Sequence, residues 1–183
     1  MVNLSAQKTS FGVQAGYLNG TAKAESSFEG VKLSFSESEP GFYIGGLAEY
    51  KISKKLAIQP SLLYGNIPSS IIYGSEESEL SEEENESDLN ILFIPIIVKY
   101  YLADSFYGQS GFQGTLFLKE KEEETDNFGL DLSVGMGFDI TKNFFIDGRY
   151  SFELTNRSSD STEDTGGDKL TYNTFHVGLG YKF

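Results

Sequence analysis

Apolar and polar side chains alternate along most of this chain with a period of two, the repeat of strands that bury one face. Residues 171–183 put Phe175, Val177, Leu179, Tyr181 and Phe183 on one face and Tyr172, Thr174, His176, Gly178, Gly180 and Lys182 on the other. Residues 128–139 set Phe128, Leu130, Leu132, Val134, Met136 and Phe138 against Gly129, Asp131, Ser133, Gly135, Gly137 and Asp139. The same alternation predicts strands over 11–18, 42–50, 56–65 and 144–154. Two further strands are less regular. Residues 90–101 are apolar on both faces until Lys99, which is assigned inward with Pro95 and Ile97, and 106–118 interleave Gly108, Ser110 and Gly114 with Phe106, Phe112, Leu116 and Leu118. Eight strands and no helix result.

The two faces differ in kind. One is continuous and bulky; the other carries charges and small residues, among them Gly12, Gly16, Gly45, Gly65, Gly111, Gly129, Gly135, Gly137, Gly178 and Gly180. A water-soluble barrel places its charges outside. Here small residues and charges fit the tight interior of an eight-stranded barrel whose apolar face meets lipid. The expected fold is an all-β, eight-stranded antiparallel up-and-down transmembrane β-barrel. Connections alternate in length as such a barrel requires: short at 51–55, 103–105 and 141–143, long and polar at 20–40, 66–89, 119–127 and 155–170. At the short-turn end, the outward residue is aromatic on seven of eight strands: Phe11, Tyr50, Tyr100, Phe106, Phe138, Phe144 and Phe183, with Leu56 the eighth. That is the composition of an interfacial girdle. The expected orientation has termini periplasmic and long connections extracellular.

Composition narrows the choice further. The chain has 183 residues, no cysteine and one histidine, which excludes disulfides, zinc–thiolate sites and thiol nucleophiles and leaves little for acid–base chemistry. A formal net charge of −13 excludes a nucleic-acid partner. The longest apolar run, 91–98, is too short for a membrane-spanning helix and contains Pro95. Residues 1–10 read as a leader or signal-peptide remnant, with Leu4-Ser5-Ala6-Gln7 similar to the tail of a signal peptide, and 11–183 as a single barrel domain.

Several stretches carry a family likeness: Phe11-Gly-Val-Gln-Ala-Gly16, Gly41-Phe-Tyr-Ile-Gly-Gly-Leu-Ala-Glu49, Leu56-Ala-Ile-Gln-Pro-Ser-Leu-Leu-Tyr64, Ile94-Pro-Ile-Ile-Val-Lys-Tyr100, Phe144-Phe-Ile-Asp-Gly-Arg-Tyr150 and Val177-Gly-Leu-Gly-Tyr-Lys-Phe183. Together they touch most strands. The chain resembles the outer membrane protein β-barrel domain family, the porin-family or PorT-like small barrels of Gram-negative bacteria. The resemblance implies an outer-membrane location and this fold, and no single activity. Phe183 resembles the terminal signal read by the outer-membrane assembly machinery. Phe93 departs from the family, which usually carries a glutamate before the Ile-Pro pair, so a lumenal charge is missing here.

Candidate chemistry lies in two places. The inward charges Glu49, Lys99, Asp131, Asp147, Arg149, Glu153 and Lys182 must pair or be wet. They are expected to form a plug that satisfies itself, with Arg149 paired; a narrow ion path is the alternative. The long connections concentrate acid, most of all 66–89 with Glu76, Glu77, Glu79, Glu82, Glu83, Glu84, Glu86 and Asp88 and no base. Oxygen ligands suit Ca²⁺ or Mg²⁺, and such ions bridge anionic lipopolysaccharide, yet no ordered calcium-loop spacing occurs, so a solvated, self-repelling segment is the plainer reading and any cation binding is weak. His176 faces inward, the wrong face for a lipid-acting enzyme, and no Gly-x-Ser-x-Gly elbow accompanies it. Gly108, Ser110 and Gly114 thin the lipid face, either to relieve curvature or to admit an acyl chain or a neighbouring barrel.

The function read from these residues is a structural or surface-interaction barrel displaying long acidic loops. It is expected to be monomeric, without cofactor, metal or catalysis, and in contact with membrane lipids and lipopolysaccharide. A low-conductance pore and a lipid-acting enzyme are the alternatives.

Overall fold

The computed structural model describes residues 8–28, 31–67, 89–118, 127–155 and 169–183. Eight strands follow in chain order: β1 (Lys8–Phe28), β2 (Val31–Lys51), β3 (Leu56–Ile67), β4 (Leu89–Tyr101), β5 (Phe106–Phe117), β6 (Phe128–Asp139), β7 (Phe144–Glu153) and β8 (Lys169–Lys182). Each pairs antiparallel with its neighbours in sequence. β1 also pairs with β8, which closes the sheet into an eight-stranded up-and-down barrel and leaves no edge in the wall.

Burial alternates along every strand as the pattern requires. Phe112, Val134, Met136, Ile146 and Leu179 stand on the outside, while their chain neighbours Gly111, Gln113, Ser133, Gly135, Asp147, Gly178 and Gly180 point inward. Lys99, Ile97 and Pro95 share the inward face of β4 and Ile94, Ile96 and Val98 the outward one, so this doubly apolar strand takes its register from the lysine. A one-residue slip would expose Lys99 to lipid and is excluded by that cost.

The three short turns are self-satisfied. Ser53 Oγ accepts from the N–H groups of Lys55 and Leu56 at 3.2 and 3.1 Å. Thr141 Oγ1 does the same for Asn143 and Phe144 at 3.2 and 3.0 Å. Hydroxyls two or three residues before the bonded amides are the usual means of holding such turns.

One expectation is corrected. Residues 20–40 are not a loop: β1 and β2 stay paired through Phe28↔Val31. Lipid on one face is what makes alternation visible in sequence, and beyond the membrane both faces of a hairpin meet water. Thr21, Lys23, Ser36, Ser38 and Glu39 are therefore polar on both faces and read as a loop although they are strand. The acidic stretches 68–88, 119–126 and 156–168 lie outside the described residues, as do residues 1–7 of the segment expected to be a leader, whose Lys8, Thr9 and Ser10 belong to β1.

Candidate functional site in the barrel lumen

The lumen is built in three tiers from the inward face of the strands. At the end where the termini and short turns lie, Glu49 of β2 takes Lys99 of β4 at 3.2 Å and Lys182 of β8 at 3.3 Å. Lys182 also reaches Asp139 at 3.1 Å, and the Tyr101 hydroxyl donates to Asp139 at 3.1 Å. Neither lysine comes from a strand adjacent to β2. Lys99 passes over Ala57, its pairing partner on β3, and Lys182 over Gly12, its partner on β1. Small residues at those two positions let charges two strands apart meet.

Aromatic rings cover the cluster. Lys99 Nζ stands 4.4 Å from the Tyr107 ring centre and 4.7 Å from that of Phe145, and it donates to the Tyr107 hydroxyl at 3.4 Å. Those rings pack against two glycines: a Cβ on Gly137 would collide with Tyr107, and one on Gly180 with Phe145. Two positive and two negative charges thus cancel inside a desolvated, ring-lined pocket, the arrangement in which buried ions are tolerated.

The middle tier is polar and differs in kind. Arg149 is 1% exposed, and none of its three guanidinium nitrogens has a partner among the described residues. Asp147 Oδ2, the Tyr43 hydroxyl, both amide atoms of Gln14 and both ring nitrogens of His176 share that state. His176 is wholly buried, with Tyr43 and Phe93 packed edge-on at 5.1 and 5.0 Å. The expectation that Arg149 pairs with another lumenal charge is corrected. Asp147 lies two residues away on the same face, but its oxygens do not meet the guanidinium.

The far tier is apolar at its centre. Leu18, Tyr43, Leu63, Ile67, Ile91 and Phe93 form one cluster, each at most 1% exposed, with Leu89, Phe117 and Tyr172 against it. Phe93, in place of the expected glutamate, is what makes this tier dry. Beside it Asp131 accepts from Thr115 Oγ1 at 2.5 Å and Gln113 Nε2 at 2.9 Å. Glu153 accepts from the Tyr172 N–H and from Thr155 Oγ1.

All seven lumenal charges read from sequence are therefore inside, but they fall into separate groups rather than one network. Asp139 belongs to the first tier and was missed as a site residue. Its signal was its place on the inward face of β6, next after Gly137. The girdle residues Phe11, Tyr50, Tyr100, Phe106, Phe138, Phe144 and Phe183 all face outward at the termini end. Tyr181 stacks edge-on with Phe144 and Phe183 at 4.8 and 5.5 Å. Gly108 has open space where a side chain would stand, and a shallow apolar groove of about 280 Å³ runs beside it between Phe106, Met136, Ile146, Gly148 and Val177. Among the described residues, no three His, Asp or Glu side chains gather as a cation site.

Comparison with known proteins agrees with this architecture. The sequence matches the family described as "Outer membrane protein beta-barrel domain" over residues 1–183. It is similar in structure to Neisserial surface protein A, with TM-score 0.52 and 19% identity over 97% of this chain and 100% of that one. OprG from Pseudomonas aeruginosa aligns with TM-score 0.46 and 14% identity over 97% of each chain. Ail of Yersinia pestis aligns with TM-score 0.43 and 17% identity over 93% of this chain and 98% of that one. No individually curated protein matches in sequence.

Proposed function

Because the chain belongs to the outer membrane protein beta-barrel domain family, and is thus an outer-membrane barrel of a Gram-negative bacterium, we propose that it serves as a closed scaffold that displays surface segments rather than as a conduit. The observation that carries this reading is the far-tier cluster of Leu18, Tyr43, Leu63, Ile67, Ile91 and Phe93, which fills the barrel with side chains packed to at most 1% exposure. An eight-stranded barrel has room for such side chains and little else. The aromatic girdle and short turns mark the periplasmic end. The acidic stretches, the taller β1–β2 hairpin and the long connections then lie outside the cell, in contact with lipopolysaccharide, and divalent cations are held there only loosely. The barrel is monomeric, is delivered through recognition of Phe183, and has no catalytic role: His176 is enclosed by Tyr43 and Phe93, out of reach of lipid.

A narrow ion path is the second reading, and the unpartnered Arg149 in the middle tier favours it. Planar-bilayer recording separates the two. The closed scaffold predicts no steady channel events from the purified protein; steady, ion-selective events would overturn it. For orientation, cysteines placed at Glu83 and Ser159 should label from outside intact cells, while those at Lys54 and Asp104 should not. The reverse labelling would invert the barrel. A turnover assay on lipopolysaccharide should find nothing.

A further inference from the structure

Most outward positions of the wall are bulky, and a notch interrupts them near the girdle. Gly108 of β5, Met136 of β6, Gly148 of β7 and Val177 of β8 lie side by side in register, so Met136 stands between two positions that have no side chain. One row nearer the short turns, Phe106, Phe138 and Ile146 are likewise in register, and all three face outward. The two rows bound the apolar groove of about 280 Å³, with Gly148 and its neighbouring backbone as the floor.

The strands set the depth of this groove in the membrane. Its two rows stand two residues apart, about 7 Å along the chain, and the nearer row carries the girdle residues Phe106 and Phe138. The outward apolar band of such a barrel is about 25 Å tall. The groove therefore lies wholly in the half of that band next to the short turns. A hydrocarbon chain lodged there is the first part of a phospholipid tail, just inside its headgroup. Lipopolysaccharide occupies the opposite leaflet in the proposed orientation.

The headgroup level offers one charge of each sign. β6 and β7, which supply most of the lining, are joined by the turn Ile140-Thr141-Lys142-Asn143, and Lys142 is exposed there. The β4–β5 turn stands beside it and carries Asp104, also exposed. The Asp139 N–H donates to the Ser105 carbonyl at 2.8 Å, which ties the two turns together. Asp139 itself is turned into the lumen and engaged by Lys182 and Tyr101. A cation and an anion thus flank the place where the headgroup of a lodged lipid would sit. A phosphate suits Lys142, and a primary ammonium suits Asp104. A headgroup with a phosphate alone sets a like charge beside Asp104, and a quaternary ammonium has no N–H to donate to it.

We propose that this groove binds one phospholipid with an ethanolamine headgroup. An acyl chain lies against Met136 and Gly148 between Phe106 and Val177, the phosphate meets Lys142, and the ammonium meets Asp104. The bare backbone of Gly108 and Gly148 admits the chain, and the pair of opposite charges selects the headgroup. The inference goes beyond the display reading and requires only that the girdle sits at a membrane surface.

The test uses the full chain folded in detergent micelles and read by native mass spectrometry. The probes are phosphatidylethanolamine, phosphatidylglycerol and phosphatidylcholine with identical acyl chains. Wild type should hold one phosphatidylethanolamine about fivefold more tightly than either of the others, the upper range for an exposed ion pair. Asp104→Lys should reverse the order in favour of phosphatidylglycerol. Lys142→Gln should weaken all three, whereas Lys54→Gln in the β2–β3 turn should change nothing. Gly148→Leu fills the groove from its floor, where a Cβ meets Val177 at 3.7 Å, an ordinary contact. Gly108→Leu fills it from the side, where nothing stands within 4 Å. Both variants should keep their heat-modifiable gel migration and lose the bound lipid, while Gly46→Leu, at an outward glycine of β2, should retain it. Equal binding of the three lipids, an unchanged order in Asp104→Lys, or undiminished binding by the two filled variants would overturn the proposal. So would the absence of lipid on wild type, or a dimer that Gly148→Leu abolishes, which would give the groove to a second copy. Because micelles have no leaflets, an inverted orientation in cells would undo the display reading without touching this result.

Discussion

The first and middle tiers of the lumen hold the same kinds of side chain and treat them in opposite ways. Around Glu49, each lysine has a carboxylate within 3.3 Å and an aromatic ring beside it. Around Arg149, a guanidinium of equal burial has no partner among the described residues. The difference lies in what stands between the strands. Ala57 and Gly12 clear the way for Lys99 and Lys182 to reach Glu49 from two strands away, whereas Arg149 has Gly135 on one side and His176 on the other, and the carboxylate that shares its face, Asp147 on its own strand, does not meet it. Burial alone therefore does not make a charge structural; a partner two strands away and a small residue between them do.

The largest effect should come from breaking the satisfied tier. Glu49→Gln leaves Lys99 enclosed without a counter-charge, and an orphaned buried charge costs about 3–5 kcal/mol. Urea unfolding in lipid vesicles would report it. The outer wall offers a scale for comparison. Arginine at Leu132, near mid-membrane, should cost about 2–4 kcal/mol, and at Phe138 in the girdle about 0–1. Third in size is the ring cover: Gly180→Ala forces Phe145 off its seat over the lysines and should cost about 1–3 kcal/mol by overpacking. If Gly180→Ala were neutral, the rings would not be part of what holds the first tier.

How much of this could be read from the chain follows the same division. Strand positions and the inward face were legible because lipid on one side and a packed lumen on the other write opposite residue types onto alternate positions. Lys99 sufficed to fix the face of β4. The upper half of the β1–β2 hairpin was missed although Val31, Leu33 and Phe35 alternate with Lys32, Ser34 and Ser36; only the all-polar run Ser36–Glu39, with Pro40 after it, carries no alternation and reads as a loop. Pairings within the lumen were not legible. Whether Lys99 meets Glu49 depends on the stagger of three strands, and no single strand's pattern contains it. Asp139 was overlooked for that reason, and Arg149 was expected to have a partner that it lacks among the described residues. Phe93 was legible only as a missing charge; its part in the dry far tier emerges once Leu18, Leu63 and Ile91 are seen around it.

The contrast between the tiers is tested most directly by measuring the unfolding free energies of Lys99→Met and Arg149→Met side by side in the same vesicles. Removing Lys99 takes one of Glu49's two partners and the cation from between two rings, and should cost several kcal/mol, toward the about 3–5 typical of a broken buried pair. Removing Arg149 breaks no hydrogen bond or ion pair among the described residues, and the variant's stability should stay within about 1 kcal/mol of wild type in either direction. Equal losses from the two variants, or a larger loss from Arg149→Met, would contradict the account.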